Sequence, residues 1–106
     1  MITTKNALEA LCRAGLATSW TRKTEGRGNY RYSDYTVKSD AFSLSNETYG
    51  ARSFLYFRCK SPELAYLIIK VLRENGGNPG TSWNGGPENG HIEMQVSRFK
   101  GYHWWE

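Results

Sequence analysis

The chain is poor in aliphatic side chains. Leu, Ile, Val and Phe make up about 18% of its 106 residues, a level that marks disorder when the net charge is also large. The formal charge is only +4, so disorder is not implied. Long apolar runs are missing too. The longest covers residues 64–69, far short of the ~20 residues that a membrane-spanning helix needs. The N-terminal residues Met1-Ile2-Thr3-Thr4-Lys5-Asn6 carry no apolar core of a secretory signal, and a cytoplasmic location is expected. Cysteine is scarce. Cys12 and Cys59 stand without CxxC or Cys/His spacing, which gives zinc and thioredoxin-type chemistry no support. Two reduced, largely packed thiols are expected, with a Cys12–Cys59 disulfide as the alternative.

Catalytic signatures are equally sparse. The only imidazoles, His91 and His103, have no carboxylate at helical metal-ligand spacing. Ser19, Ser82 and the cysteines lack a nucleophile-elbow context. The stretch Gly76-Gly77-Asn78-Pro79-Gly80-Thr81-Ser82 invites comparison with a phosphate loop, but it has no Lys and follows a helical pattern rather than a strand. No nucleophile, metal set or cofactor site is nominated, and the chain is expected not to be an enzyme.

What the sequence does have is aromatic: four Trp, seven Tyr and four Phe. Each buries roughly 150–250 Å², enough to build one domain's core at this length. A first helix is expected where Leu8, Leu11, Cys12 and Leu16 recur at helical spacing, with Asn6-x-x-Glu9 as a cap pair, Thr3 or Thr4 as rival caps, and Gly15 as the stop. Residues 17–37 read as a basic hairpin punctuated by Glu25-Gly26-Arg27-Gly28-Asn29. A second hairpin follows, with strands over 41–45 and 52–60 around residues 46–50. Alternation puts Phe54, Tyr56 and Arg58 on one face of its second strand and Leu55, Phe57 and Cys59 on the other. A second helix opens with Ser61 as cap, Pro62 at its first position and Glu63 in its first turn. Its expected buried stripe is Leu64, Leu67, Ile68, Val71 and Leu72, and Gly76 ends it. Residues 75–90, rich in Gly, form a long, loose connection with turns at Asn78-Pro79-Gly80 and Glu88-Asn89-Gly90. A short strand is expected to start at Trp83, because Thr81-Ser82-Trp83 echoes Thr18-Ser19-Trp20. Ile92, Met94 and Val96 then face inward on a last strand. The sum is a single α+β domain over residues 1–106, with two helices on a mainly antiparallel sheet of about five or six strands in the order αββββα followed by one or two strands.

Two segments stand out as candidate binding surfaces. In the basic hairpin, Arg22, Lys23, Arg27 and Arg31 interleave with Trp20, Tyr30 and Tyr32. Cations for phosphates and flat rings for bases are what a single-strand binder uses, while the same residues also suit a solvated hairpin whose edge is protected by charge. At the other end, Arg98, Lys100, Tyr102, Trp104 and Trp105 cluster with Phe99 and His103. Trp, Tyr and Arg dominate binding hot spots, yet such a tail also serves to complete a small core.

Arg52-Ser53-Phe54-Leu55-Tyr56-Phe57-Arg58-Cys59, followed by Ser61-Pro62-Glu63-Leu64-Ala65, resembles the strand-to-helix passage of RNA-recognition motifs over about a fifth of the chain. The match rests on the basic first position and the aromatics at the third and fifth, Arg52, Phe54 and Tyr56; the second-position Gly and the final aromatic are absent. Such domains also begin with a strand, which Met1-Ile2 do not supply. The resemblance implies base stacking on Phe54 and Tyr56.

Two functions are therefore expected of this chain. The first is a non-enzymatic protein that occupies a functional surface of a protein or ribonucleoprotein complex. It is similar in size and style to phage and mobile-element inhibitors of bacterial defence, anti-CRISPR proteins among them. The second is binding of single-stranded RNA or DNA through the basic hairpin, with steep salt dependence. No membrane partner is expected, and a homodimer through a sheet edge or the Trp104-Trp105 pair is a further expectation.

Overall fold

The computed structural model describes residues 1–25, 32–49 and 52–97, with the backbone alone at residues 24, 25, 32, 33, 48 and 49. The chain is α+β: helix α1 (Thr4–Arg13), strands β1 (Ser19–Glu25), β2 (Tyr32–Lys38), β3 (Phe42–Tyr49) and β4 (Arg52–Cys59), helix α2 (Pro62–Glu74), a kinked 3-10 segment (Trp83–Asn89) and strand β5 (His91–Val96). No helix among the described residues is long and apolar enough to cross a membrane.

Both helices are delimited by local chemistry. Thr3, not Asn6, caps α1: its hydroxyl accepts the Asn6 N–H at 3.0 Å, because the helix already begins at Thr4 and Asn6 lies in the first turn. At the other end Gly15 takes φ +76°. The Gly15 and Leu16 N–H groups reach back to the carbonyls of Cys12 and Leu11, each at 3.0 Å, closing the terminal carbonyls in a left-handed cap. The same device ends α2, where Gly76 and Gly77 donate to Arg73 and Leu72 at 3.2 and 2.8 Å. Ser61 caps its start by accepting the Leu64 N–H at 3.2 Å. The buried stripe of α2 differs from the expected one. Ala65, Ile68, Ile69 and Leu72 are buried, whereas Leu67 is 44% exposed beside Tyr66 at 47%. Leu64 and Val71 are partly buried against the core, so the stripe is centred on Ala65, Ile68 and Leu72 and leaves Leu67 outside it.

The five strands among the described residues form two sheets, β1-β2 and β3-β4-β5, rather than the single sheet expected. The break lies at Ser39. Its hydroxyl donates to the Leu16 carbonyl at 2.6 Å and accepts from Ala41 and Phe42 at 2.9 and 3.2 Å, so the chain turns a corner there. Beyond the corner a side chain links the sheets, with Asn46 Nδ2 donating to the Tyr35 carbonyl at 3.1 Å. The second hairpin also closes later than expected. Strand β3 continues through residues 46–49 and pairs Tyr49 with Arg52.

Alternation along the three-stranded sheet sets its faces. Leu55 and Phe57 of β4 and Ile92, Met94 and Val96 of β5 are buried with Leu8, Leu11, Ile68 and Leu72 of the helices. Trp83 does not begin a strand. The extended contact is made earlier, where Gly80 pairs with Glu93 on the outer edge of β5, and Trp83 enters the 3-10 segment instead. Residues 75–90 are thus a wrapped, hydrogen-bonded path rather than a loose connection. The Tyr66 hydroxyl donates to Glu88, and this bond raises the phenol's pKa above its usual value. Asn89 Nδ2 donates to the Asn84 carbonyl at 3.2 Å, and the Cys59 N–H donates to the Gly90 carbonyl at 2.7 Å.

The path depends on Gly86, whose φ of 72° and ψ of −158° fall in a region open essentially to glycine alone. A Cβ at Gly86 would run into the Thr81 carbonyl, whereas one at Gly15 meets nothing within 4 Å. Gly86→Ala is expected to cost roughly 3 kcal/mol or more, and Gly15→Ala about 1 kcal/mol. Urea denaturation of the two variants checks the order.

Candidate functional site

The face of β3-β4-β5 turned away from the helices carries an ordered set of side chains. The antiparallel register places Ser43, Arg58 and His91 in one row, Ser45, Tyr56 and Glu93 in the next, and Glu47, Phe54 and Gln95 in a third. Arg52 extends the β4 column at its start. Since β4 is paired on both sides, its outward residues lie at the middle of this face.

The aromatic rings form a connected file across it. Phe54 and Tyr56 have centroids 6.3 Å apart, Tyr56 and Trp83 are 4.9 Å apart at 57°, and Trp83 and His91 are 5.1 Å apart at 59°. Trp83 comes from outside the sheet, delivered over β5 by the segment that Gly80 anchors to Glu93. Here Gly80 donates to the Glu93 carbonyl at 2.6 Å. His91 Nδ1 lies 3.0 Å from the Asn84 carbonyl. A carbonyl only accepts, so the ring proton sits on Nδ1, and the imidazole is held in place beneath the indole. Phe54, Tyr56, Trp83 and His91 are each half-buried, so the rings are seated yet still present a surface.

Two concavities flank the file. One, of about 230 Å³, is lined by Ser45, Glu47, Tyr56, Arg58 and Trp83. The other, of about 400 Å³, opens beside Phe54 and is bordered by Glu93, Gln95, Asn78 and Gly80 among others. The first is smaller than the roughly 300–1,000 Å³ of a drug-sized site and suits a single flat ring. Charges on the face balance, with Arg52 and Arg58 against Glu47 and Glu93.

The hairpin expected to bind distributes its residues differently. Trp20 packs on the buried Tyr35 with centroids 6.1 Å apart and joins the margin of the core, so its ring stabilises the fold. Arg22 and Lys23 are exposed on successive, hence opposite-facing, positions of β1. Lys23 stands across from Asp34 in the register, which reduces the local positive charge. Tyr32 is placed only as the strand partner of Glu25. Arg27, Tyr30, Arg31, Arg98, Lys100, Tyr102, Trp104 and Trp105 lie outside the described residues, as does His103. Phe54 and Tyr56 sit where the alternation of β4 put them. Glu47, Arg58, Trp83 and His91 are the site residues that the sequence reading did not assign to binding. Arg58 was within reach, being on the Phe54–Tyr56 face; Trp83 carries no local signal, since its position depends on a long-range bridge.

The described residues contain no group of three or more His, Cys, Asp or Glu placed to hold a metal ion. Cys12 and Cys59 are free and half-buried. Burial pushes the Cys59 thiol up to about 11, so it is protonated at neutral pH and a poor nucleophile. No protein-family model, curated protein or solved structure matches the chain. The likeness to RNA-recognition motifs therefore stays local. The basic and aromatic positions Arg52, Phe54 and Tyr56 do share the open face of a central strand, and among the described residues the order of elements around it is α1-β1-β2-β3-β4-α2-β5.

Alkylation of Cys59 at pH 8 is expected to run roughly 100-fold slower than that of a thiol with the ordinary value, and to rise about tenfold per pH unit until pH 11. Mass spectrometry of iodoacetamide-treated native protein across pH 7–11 reads this directly; fast alkylation at pH 8 contradicts the burial of the thiol.

Proposed function

We propose that the protein is a non-enzymatic binding module that takes single-stranded nucleic acid on the open face of β3-β4-β5. The observation that supports this reading is the file of Phe54, Tyr56, Trp83 and His91 across an otherwise polar sheet face, with Arg52 and Arg58 in the same strand. Bases stack on such rings irrespective of sequence, at about 1–3 kcal/mol per base. The two arginines meet phosphates, and an antiparallel sheet spaces successive rings about 6–7 Å apart along a strand, close to what a splayed-out single strand requires. Stacking supplies the affinity here rather than charge, because Glu47 and Glu93 offset the two arginines.

The second reading, a protein that covers a partner's functional surface, is favoured by Tyr66 and Leu67, large side chains exposed together on α2. It places the contact on the opposite side of the domain from the aromatic file. Inhibition of a nucleic-acid-processing complex is compatible with either surface.

Binding of labelled single-stranded RNA and DNA across a salt series tests the first reading. Tyr56→Ala and Trp83→Ala are each expected to weaken binding about 10- to 100-fold. The logarithm of affinity is expected to fall with the logarithm of salt with a slope of about −1.4, the value for two phosphate contacts on a single strand. A steep slope abolished by an Arg27→Ala, Arg31→Ala double variant would instead assign binding to the hairpin. No binding at low salt rejects nucleic acid and leaves the α2 surface.

A further inference from the structure

Resting on that reading, we infer that a gap in the edge ladder of β5 takes the pairing edge of one unpaired base, through the main-chain N–H and C=O of Gln95.

An antiparallel strand turns the N–H and C=O of alternate residues to each side. In β5 the side away from β4 falls to Glu93, Gln95 and the following Ser97. Glu93 exchanges both of its bonds with Gly80, at 2.6 and 3.4 Å, and the Ser97 N–H donates to the Ile2 carbonyl at 2.8 Å. Between them, the Gln95 N–H and C=O have no backbone partner among the described residues. Continuing the antiparallel bridge of Gly80 and Glu93 by two residues would set Asn78 opposite Gln95. That pair is not made, because the Gly77 N–H turns to the Leu72 carbonyl at 2.8 Å and draws the chain to the end of α2. Asn78 and Gln95 instead border the concavity of about 400 Å³.

What enters this gap must bring a donor and an acceptor side by side, the pair that a ladder partner of Gln95 would supply. It must also enter end-on. Gly80 and Ile2 border the concavity and occupy the edge on either side, about 14 Å apart along the strand, so an extended peptide has no room to run through and pair over several residues. A base is a group of the required kind. It is flat, it projects from its chain, and each of the four carries an adjacent donor and acceptor on the pairing edge that an unpaired nucleotide exposes. The volume lies within the range of sites for molecules of nucleoside size. The place also continues the stacking file. Phe54 stands directly across from Gln95 in the register and lines the same concavity, so a strand stacked over Tyr56 and Phe54 reaches the gap with its next base. A base held there by its pairing edge is not in a duplex. The gap therefore selects unpaired strand without choosing among the bases.

The test uses thymidine pentamers in which one thymine at a time is replaced by difluorotoluene, a ring of the same shape that stacks but lacks the donor and acceptor. Fluorescence anisotropy reads their binding to the full chain and to its Gln95→Pro and Gln95→Ala variants. Replacement at one position is expected to weaken binding roughly tenfold, with little change at the others. Gln95→Pro removes the N–H from an open strand edge, where proline is tolerated, and is expected to weaken the unmodified pentamer by a similar factor and to abolish the position dependence. Gln95→Ala keeps the main-chain groups and is expected to bind as the parent does. Circular dichroism checks the fold of both variants, and the pentamer scan on the unaltered chain decides the matter if the proline variant does not fold. A flat scan, with binding still lost in Tyr56→Ala, overturns the gap as a base site and leaves the nucleic-acid reading standing. A position dependence that survives Gln95→Pro overturns the assignment to Gln95. Displacement of the bound pentamer by blocked trialanine overturns the base assignment and gives the gap to peptide chains. Absence of binding by any pentamer overturns both readings.

Discussion

Strand β4 is hydrogen-bonded on both sides, by β3 and by β5, and a strand in that position has only its two faces left with which to do anything else. The alternation of its eight residues Arg52–Cys59 fixes both at once. Leu55 and Phe57 close the core under the helices, and Phe54, Tyr56 and Arg58 are directed to the other side by the same backbone. Moving the register by one residue would expose Leu55 and Phe57 and bury an arginine, an exchange that costs several kcal/mol. Stability of the core thus holds the outer file in register.

The segment between α2 and β5 is the second constraint, and it serves two purposes. An exposed edge of β5 invites pairing with another chain, and the bridge from Gly80 to Glu93 covers part of it. The same bridge fixes where the following residues go. Three residues later Trp83 is over the sheet, and the glycines at 85, 86 and 90 take positive φ so that the chain returns into β5 within a few residues. Covering the edge and completing the aromatic file are the same piece of structure. The glycine content of 75–90, which reads as looseness in sequence, is the means by which the backbone approaches Thr81 and Cys59 closely.

Local signals in the sequence account for the elements and their faces. The Ser61-Pro62-Glu63 start of α2, the glycine stops at 15 and 76, and the period-two patterns of β4 and β5 each rest on chemistry within a few residues, and each is found in the fold. What the sequence does not carry is the relation between elements. The division into two sheets falls at Ser39, whose hydroxyl bonds to Leu16, 23 residues away. The face that α2 turns inward, Ala65, Ile68, Ile69 and Leu72 with Leu67 left exposed, is set by what packs against it and not by the helical period alone. Trp20 and Trp83 look alike in sequence, each after Thr-Ser, yet one packs on buried Tyr35 and the other stands over an open face. Local pattern does not distinguish them, since burial is decided by what the rest of the chain brings alongside. The basic hairpin drew attention because charge is visible in one dimension, whereas the sheet face joins residues from positions 43 to 95.

The balance of charge on that face decides what kind of recognition it supports. A surface that attracts nucleic acid from a distance accumulates cations, and its affinity falls steeply with salt. On this face two arginines are set against two glutamates, so the long-range field is weak and the short-range pattern of donors and acceptors is strong. Carboxylates within a nucleic-acid surface oppose phosphate and weaken non-specific binding. Outside this face, α1 (Lys5 and Arg13 against Glu9) and the hairpin strands (Arg22, Lys23 and Lys38 against Glu25 and Asp34) each carry one excess positive charge, while on α2 Lys70 and Arg73 are matched by Glu63 and Glu74. On the proposed reading, attraction is therefore slight and diffuse, and contact falls to the fixed file of rings, Phe54, Tyr56, Trp83 and His91, on the open face of the sheet.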